Sequence, residues 1–161
     1  MRIIKEAKFN EIKDVHTKCI PQALARRVPK VYQLAFLAAN AAMEGQEKAE
    51  AVICLSPLGC LNETFSFLDK LADSDLGSPK DFVFSTHNSL GAMLAKEFGI
   101  KGTNFSLCDR SLDSALEIAE ILDEKTVLIV EFDDANEFAK GVLQECNNVS
   151  RAFANAYLCV K

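Results

Sequence analysis

Short apolar runs alternate along the chain with longer segments in which apolar residues recur at helical spacing. Two of the runs, 49–56 and 125–134, contain at least four consecutive apolar residues between turn or charged residues, which predicts strands buried on both faces. Shorter runs predict three further strands, at 2–9, 81–86 and 103–109. Apolar residues at helical spacing predict helices over 31–44, 62–75, 88–99 and 111–122. Several of these segments begin near a capping residue or proline, or end at a glycine.

The remaining segments carry weaker patterns. Residues 10–30 are mixed and polar, which predicts loop and irregular helix, while 135–145 predict a short helix and 150–161 a strand or a helix–strand mixture. Because strands alternate with helices almost throughout, without a linker or a repeat, we expect a single α/β domain over 1–161. Its expected architecture is a layered α/β/α arrangement with a mainly parallel central sheet and helices on both faces.

The composition is that of an ordinary globular protein with an acidic surface. Of the 161 residues, 49% are hydrophobic and 25% are charged, and the formal net charge is −5. An acidic surface argues against nucleic acids and anionic membranes as partners. No apolar run approaches the length of a membrane span, and the N-terminus lacks a signal-peptide pattern, so the expected location is the cytoplasm.

The six cysteines do not follow a metal-binding pattern. They contain no C-x-x-C pair, and the two closest, Cys54 and Cys60, have five residues between them. Most lie in apolar runs, so we expect reduced, buried thiols rather than zinc ligands. Asp133-Asp134 follows a predicted strand and is interpreted as a solvated strand end rather than a metal site. The glycine motifs that bind nucleotides are absent, so no cofactor is predicted.

A polar segment at 85–89 holds His87 between two apolar runs, and it is either a catalytic centre or a structural corner. We interpret it as a corner, in which His87 hydrogen-bonds backbone groups and Asn88 supports the start of the next helix. Ligand contact or acid–base chemistry at His87 is the alternative. A second polar feature is a small basic patch of Arg26 and Arg27 with Lys30, which is either solvated surface or a contact for an acidic carrier protein.

Several of these features occur together in a known order. A strand ends in a Ser-x-x-Gly step, a Ser-Pro turn follows, and a His-Asn pair and a Lys-Gly step come next, at Ser56 and Gly59, Ser78-Pro79, His87-Asn88 and Lys101-Gly102. With the alanine-rich helix at 31–44, this succession resembles the β-ketoacyl synthase-like N-terminal domain family over roughly residues 20–135. The resemblance implies half of a thiolase-type fold.

The resemblance also implies a mode of association and a position for catalysis. In the family, the strand at 103–108 pairs with its mate across a dimer axis, so we expect a homodimer or a heterodimer with a ketosynthase. Condensing members carry a nucleophilic cysteine at the start of the following helix. Here that position is Ser111, which is expected to cap the helix, and Cys108 lies three residues earlier, where we expect it to point into the sheet or the interface. The two condensation histidines of the family belong to a C-terminal half without a counterpart in this sequence.

Three hypotheses follow for function. The first is a non-catalytic ketosynthase-like subunit that acts as an accessory or chain-length-type partner in fatty-acid-like or polyene biosynthesis, with an acyl carrier protein as a further partner. The second is a small acyltransferase or acyl-thioester hydrolase that uses Ser111 with His87, or a thiol such as Cys108. The third is a standalone homodimeric binding protein. The residues that we expect to contribute to binding are His87, Asn88, Ser56, Gly59, Arg26 and Arg27.

Overall fold

A computed structural model describes residues 1–10, 20, 28–74, 77–108, 111–134 and 152–161. The strands are β1 (Arg2–Phe9), β2 (Ala51–Leu55), β3 (Asn104–Leu107), β4 (Thr126–Asp133) and β5 (Phe153–Val160). The helices are α1 (Lys30–Met43), α2 (Leu61–Ser74), α3 (Pro79–Phe84), α4 (Ser89–Phe98) and α5 (Leu112–Ile121). The predicted helix at 135–145, the basic pair Arg26 and Arg27, and the two thiols Cys19 and Cys146 lie outside the described residues.

The described strands form one sheet in the order β1-β5-β4-β2-β3. β2 pairs in parallel with β3 on one side and with β4 on the other, whereas β5 is antiparallel to both β4 and β1. The α/β fold class is confirmed, and the described sheet is mainly parallel in direction: β1, β2, β3 and β4 run the same way, while β5 runs against its two neighbours. β3 and β1 are the two edge strands, so each has one side without a strand partner among the described residues.

Helices cover both faces of the sheet, as the sequence predicts. The central strand β2 is completely buried, and its side chains alternate between the two faces because successive residues of a strand point in opposite directions. Val52 and Cys54 belong to the core beneath α1 and α4. Ile53 and Leu55 belong to the core beneath α5, whose contacting side chains include Ala115. The continuous apolar run in the sequence therefore arises from burial on two sides.

The segment 81–86, predicted as a strand, is instead the end of the short helix α3 and the turn that follows it. Ser78 occupies the N-cap position and Pro79 the first helical turn, where the missing proline N–H leaves no hydrogen bond unmade. Phe84 is buried against Tyr32 of α1, with ring centroids 5.9 Å apart in an edge-on arrangement. The apolar run at 81–86 therefore belongs to a short helix that one buried aromatic side chain anchors. It does not alternate between buried and exposed residues as a strand would.

Candidate functional site

The candidate site lies where two parallel strands end and their connections diverge. The chain leaves β2 and returns to β3 through α4 on one face of the sheet, and it leaves β3 and returns to β4 through α5 on the opposite face. Such a divergence opens a crevice at the carboxyl ends of neighbouring strands, which is where ligands bind in open α/β sheets. Leu55 pairs with Leu107, and the Ser56 N–H donates to the Leu107 carbonyl at 3.0 Å, so the two strand ends are level.

The turn after β2 is shaped by Ser56 and Gly59. The Oγ of the buried Ser56 accepts a hydrogen bond from the Gly59 N–H at 2.7 Å, which closes the turn. Gly59 has φ +59°, a left-handed conformation that favours glycine. A Cβ atom at this position would lie 2.1 Å from Cε1 of His87, so the glycine also provides the space that the imidazole ring occupies. The Ser-x-x-Gly step therefore positions the histidine.

His87 and Cys108 are in contact at the mouth of this crevice. The Cys108 Sγ lies 3.4 Å from Nδ1 and 3.8 Å from Nε2 of His87, so either nitrogen can exchange a proton with the thiol after a small ring rotation. Both side chains are exposed. Cys108 was expected to point into the sheet or the interface. Its exposed side chain, after the end of β3 at Leu107, excludes the sheet, and a position at the interface stays a prediction. An exposed thiol beside an imidazole is a nucleophile–base pair.

Cys60 fastens the His87 corner to the turn after β2, a role that the sequence did not indicate. Its Sγ donates to the Ser85 carbonyl at 2.9 Å, and the Thr64 hydroxyl reaches the same carbonyl at 3.3 Å. Desolvation raises the pKa of the Cys60 thiol, with a smaller contribution from Cys108 nearby. Cys60 is therefore a structural thiol, and its position directly after Gly59 is the one sequence signal that could have identified it.

The two polar residues expected at helix starts behave differently. The Oγ of Ser111 accepts a hydrogen bond from the Ser114 N–H at 3.4 Å, which confirms that Ser111 caps α5. Asn88 precedes α4, but its side chain makes no capping hydrogen bond, so the predicted support of the helix start is wrong. Asn88 has helical φ and ψ, whereas a capping side chain needs an extended backbone at that position.

Acidic side chains gather at the neighbouring end of β4. Asp133 is buried, and its Oδ1 accepts a hydrogen bond from the Asp134 N–H at 2.8 Å, so this pair is not the solvated strand end that the sequence predicts. Glu63 of α2 faces the same small cavity, and desolvation followed by the Asp134 charge raises its pKa. Among the described residues, no three histidine, cysteine or acidic side chains are arranged to hold a metal ion.

An open pocket of about 340 Å³ lies beside these carboxylates, between α2, α3 and the start of α1. Its wall combines apolar side chains, Val28 and Phe84, with the polar groups of Asn62, Glu63 and Lys80. None of these residues carries a sequence motif, so sequence reasoning did not identify the pocket. Within the described part of the chain, no helix is both long enough and apolar enough to cross a bilayer.

The comparisons with known proteins agree with this fold. A family model described as β-ketoacyl synthase, N-terminal domain, matches residues 4–160. A solved ketosynthase in complex with its chain length factor, from Xenorhabdus doucetiae, matches with a TM-score of 0.78 and 25% identity, over 89% of this chain and 63% of that one. No curated protein matches the chain. The likeness predicted from the sequence is confirmed.

Two further solved structures share the fold at lower identity. The ishigamide ketosynthase/chain length factor matches with a TM-score of 0.71 and 14% identity, over 92% of this chain and 48% of that one. A β-ketoacyl synthase from Burkholderia phymatum matches with a TM-score of 0.59 and 12% identity, over 86% and 43%. The chain thus spans 63% or less of the length of these three solved chains.

Proposed function

We propose that this chain, which belongs to the β-ketoacyl synthase N-terminal domain family, is a non-catalytic ketosynthase-like subunit that pairs with a catalytic ketosynthase as its chain-length-type partner. The likeness to a solved complex of a ketosynthase with its chain length factor supports this assignment at 25% identity. A subunit of this kind need not carry out condensation itself, since the partner supplies the nucleophile.

The observation that carries the proposal is the residue at the start of α5. In the family resemblance, this position holds the cysteine of condensing enzymes, and here it is Ser111. The Ser111 hydroxyl accepts a hydrogen bond from the Ser114 N–H and caps the helix. A serine becomes a nucleophile when a base removes its proton, and the ring of His87 lies beside Cys108 instead. The local structure therefore supports a structural role for Ser111.

The edge strand β3 is the proposed pairing surface. Its outer side has no strand partner among the described residues, and Phe105 on this strand is 42% exposed. An open edge with an apolar side chain favours association with another strand, because its backbone groups are already aligned for a ladder. Pairing through β3 would continue the sheet into the ketosynthase subunit and bury this side chain.

Four residues of strand are too few for a stable complex, which typically buries about 1,600 Å² in total. A second apolar surface is available on the helices that precede the strand. Phe82 and Val83 of α3 are 57% and 52% exposed, and Leu68 of α2 is 49% exposed. Because α3 leads into the corner where His87 meets the end of β3, this surface extends from the same end of the sheet. We propose that both surfaces face the ketosynthase.

The pathway and carrier are further parts of the proposal. The family resemblance points to fatty-acid-like or polyene biosynthesis, in which the growing acyl chain is attached to an acyl carrier protein. The expected contact for that acidic carrier is the basic patch of Arg26 and Arg27, which continues at the exposed Lys30 where α1 begins. Cytoplasmic location is proposed on the same basis, as the compartment of such a pathway.

The decisive experiment is purification of the tagged chain from its native host, with identification of the co-purifying proteins by mass spectrometry. We expect a full-length ketosynthase in nearly equal amount. Phe105→Glu is expected to lower its recovery at least tenfold, roughly, because a carboxylate would be buried in the interface without a partner. Ile121→Glu is the matched control, since Ile121 is an apolar side chain that is 81% exposed on α5 rather than on the edge strand.

Two results would overturn the proposal. The first is recovery of the chain alone with the mass of a homodimer, which would favour the standalone binding protein. The second is condensation of an acyl thioester with a malonyl thioester by the isolated chain, measured by release of carbon dioxide. Equal loss of the ketosynthase in Phe105→Glu and Ile121→Glu would reject β3 as the pairing surface.

A further inference from the structure

The described thiols differ sharply in their surroundings. Cys54, Cys60 and Cys159 are buried, and Cys108 is exposed. Desolvation raises the pKa of Cys54 to about 12 and that of Cys159 to about 11, so both remain protonated at neutral pH. Desolvation also raises the pKa of Cys60. Since the thiolate is the reacting form of cysteine, these three thiols are protected by both burial and protonation.

Cys108 combines exposure with a neighbouring base. The His87 ring contacts its sulfur at 3.4 Å and occupies space that Gly59 leaves free, since a Cβ at this glycine would overlap with the ring. The corner that carries His87 is in turn attached to the turn after β2 through the Cys60–Ser85 hydrogen bond. The imidazole is therefore positioned by the fold to accept the proton of this one thiol.

We propose that Cys108 is a site of reversible thiol–disulfide exchange with low-molecular-weight disulfides, with His87 as the base. His87 accepts the Cys108 proton as the sulfur attacks one sulfur of the disulfide. A new S–S bond forms while the original S–S bond breaks, and the departing thiolate takes the proton from the imidazolium. The Cys108 sulfur is oxidised and one sulfur of the small disulfide is reduced, so the exchange balances without any other oxidant.

The location of Cys108 gives the modification a consequence, which rests on the proposed function. The residue follows the last residue of β3, the edge strand proposed to pair with a ketosynthase. A peptide-sized adduct on this sulfur would stand at the end of the strand and obstruct a partner that pairs there. Exchange would therefore separate the subunits under oxidising conditions, and reduction would restore the pairing.

The test is reaction of the purified, reduced chain with oxidised glutathione, followed by intact mass and peptide mapping. We expect one glutathione adduct, located at Cys108, removed by dithiothreitol and absent in Cys108→Ser. His87→Gln is expected to slow its formation roughly tenfold or more at pH 7, because the base is lost. At high pH, where hydroxide can take the thiol proton in place of the histidine, the two rates should converge. Cys60 is the titratable group beside the pair. Because it also attaches the His87 corner, Cys60→Ala should slow the reaction at pH 7 and leave the rate at high pH unchanged.

Each outcome decides a separate point. Equal labelling of the wild-type chain and Cys108→Ser would overturn the site, and an unchanged rate in His87→Gln at pH 7 would overturn the role of the base. A rate that stays low in His87→Gln at high pH would mean that the histidine only shapes the corner. If the adduct forms and a bound ketosynthase is retained, control of pairing is refuted. If no ketosynthase binds even the reduced chain, the proposed function fails while the labelling result still stands.

Discussion

Gly59 links the turn after β2 to the His87–Cys108 pair, and its replacement is the sharpest test of that geometry. Gly59→Ala adds one carbon atom, 2.1 Å from Cε1 and 2.2 Å from Nδ1 of the imidazole. Carbon atoms in favourable contact are about 3.5–4.0 Å apart, so the ring must move by more than 1 Å, roughly. We expect His87 to be displaced from Cys108.

The magnitude has two parts that a control can separate. Alanine in a left-handed conformation costs about 1–2 kcal/mol, and the overlap with the ring adds about 1–3 kcal/mol. Gly45 has φ +71°, and no atom lies within 4 Å of the position that a Cβ would take there, so Gly45→Ala carries the backbone cost without the overlap. We therefore expect a loss in the free energy of unfolding of about 1–2 kcal/mol for Gly45→Ala and roughly 2–5 kcal/mol for Gly59→Ala.

Urea titration of both variants, with unfolding followed by circular dichroism, gives the two losses. The rate of Cys108 modification by oxidised glutathione gives the position of the ring. If His87 swings aside at little cost, the extra loss of stability is small, but the modification rate at pH 7 falls to that of His87→Gln. Equal stability losses together with a wild-type modification rate would refute the geometry of this corner.

Two other predictions concern α5 and the sheet. Ser111→Ala should lower the free energy of unfolding by about 1 kcal/mol, because the Ser114 N–H loses its acceptor. Ser111→Asp keeps a capping oxygen, so equal losses for both in urea would reject the cap. Burial and then the Glu131 charge raise the pKa of Tyr157 to about 12. The unfolded chain loses this proton from about pH 10, whereas the folded chain keeps it. The free energy of unfolding should therefore fall between pH 10 and 12, roughly. In Tyr157→Phe, the urea midpoint should fall less over this pH range than it does in the wild-type chain. An equal fall in both chains would contradict the prediction.

Sequence patterns predicted the fold well where burial alone decides the structure. β2 and β4 are completely or almost completely buried, and their consecutive apolar residues identified them. Gly99 ends α4 in a left-handed conformation, as its position after the helical pattern indicated. The pattern failed at α3, where Phe82 and Val83 are exposed and only Phe84 is buried. Three adjacent apolar residues fit a strand or a helix equally, and tertiary contacts chose the helix.

The candidate site was predictable in its parts but not in its contacts. Ser56, Gly59 and His87 were identified by the family resemblance, and the structure places them around one turn. The contact between Cys108 and His87 joins residues 21 positions apart, and no periodicity encodes such a contact. Parallel pairing of β2 with β3 was the available signal, because it brings both carboxyl ends to the same edge of the sheet. The antiparallel direction of β5 was hidden for the same reason, since strand orientation depends on long-range pairing.

The two open surfaces near α5 differ in a way that bears on where a partner binds. The outward side of this helix carries three exposed acidic residues, Asp113, Glu117 and Glu120, beside the exposed Ile121, while its inward side packs small residues against the sheet. A charged surface costs free energy when it is covered by an apolar layer, so this face is suited to water. The edge of β3 instead exposes Phe105 beside backbone positions that lack a strand partner in the described part of the chain. Covering that edge gains both apolar burial and hydrogen bonds, which favours the strand edge over the helix face as the surface for the proposed ketosynthase partner.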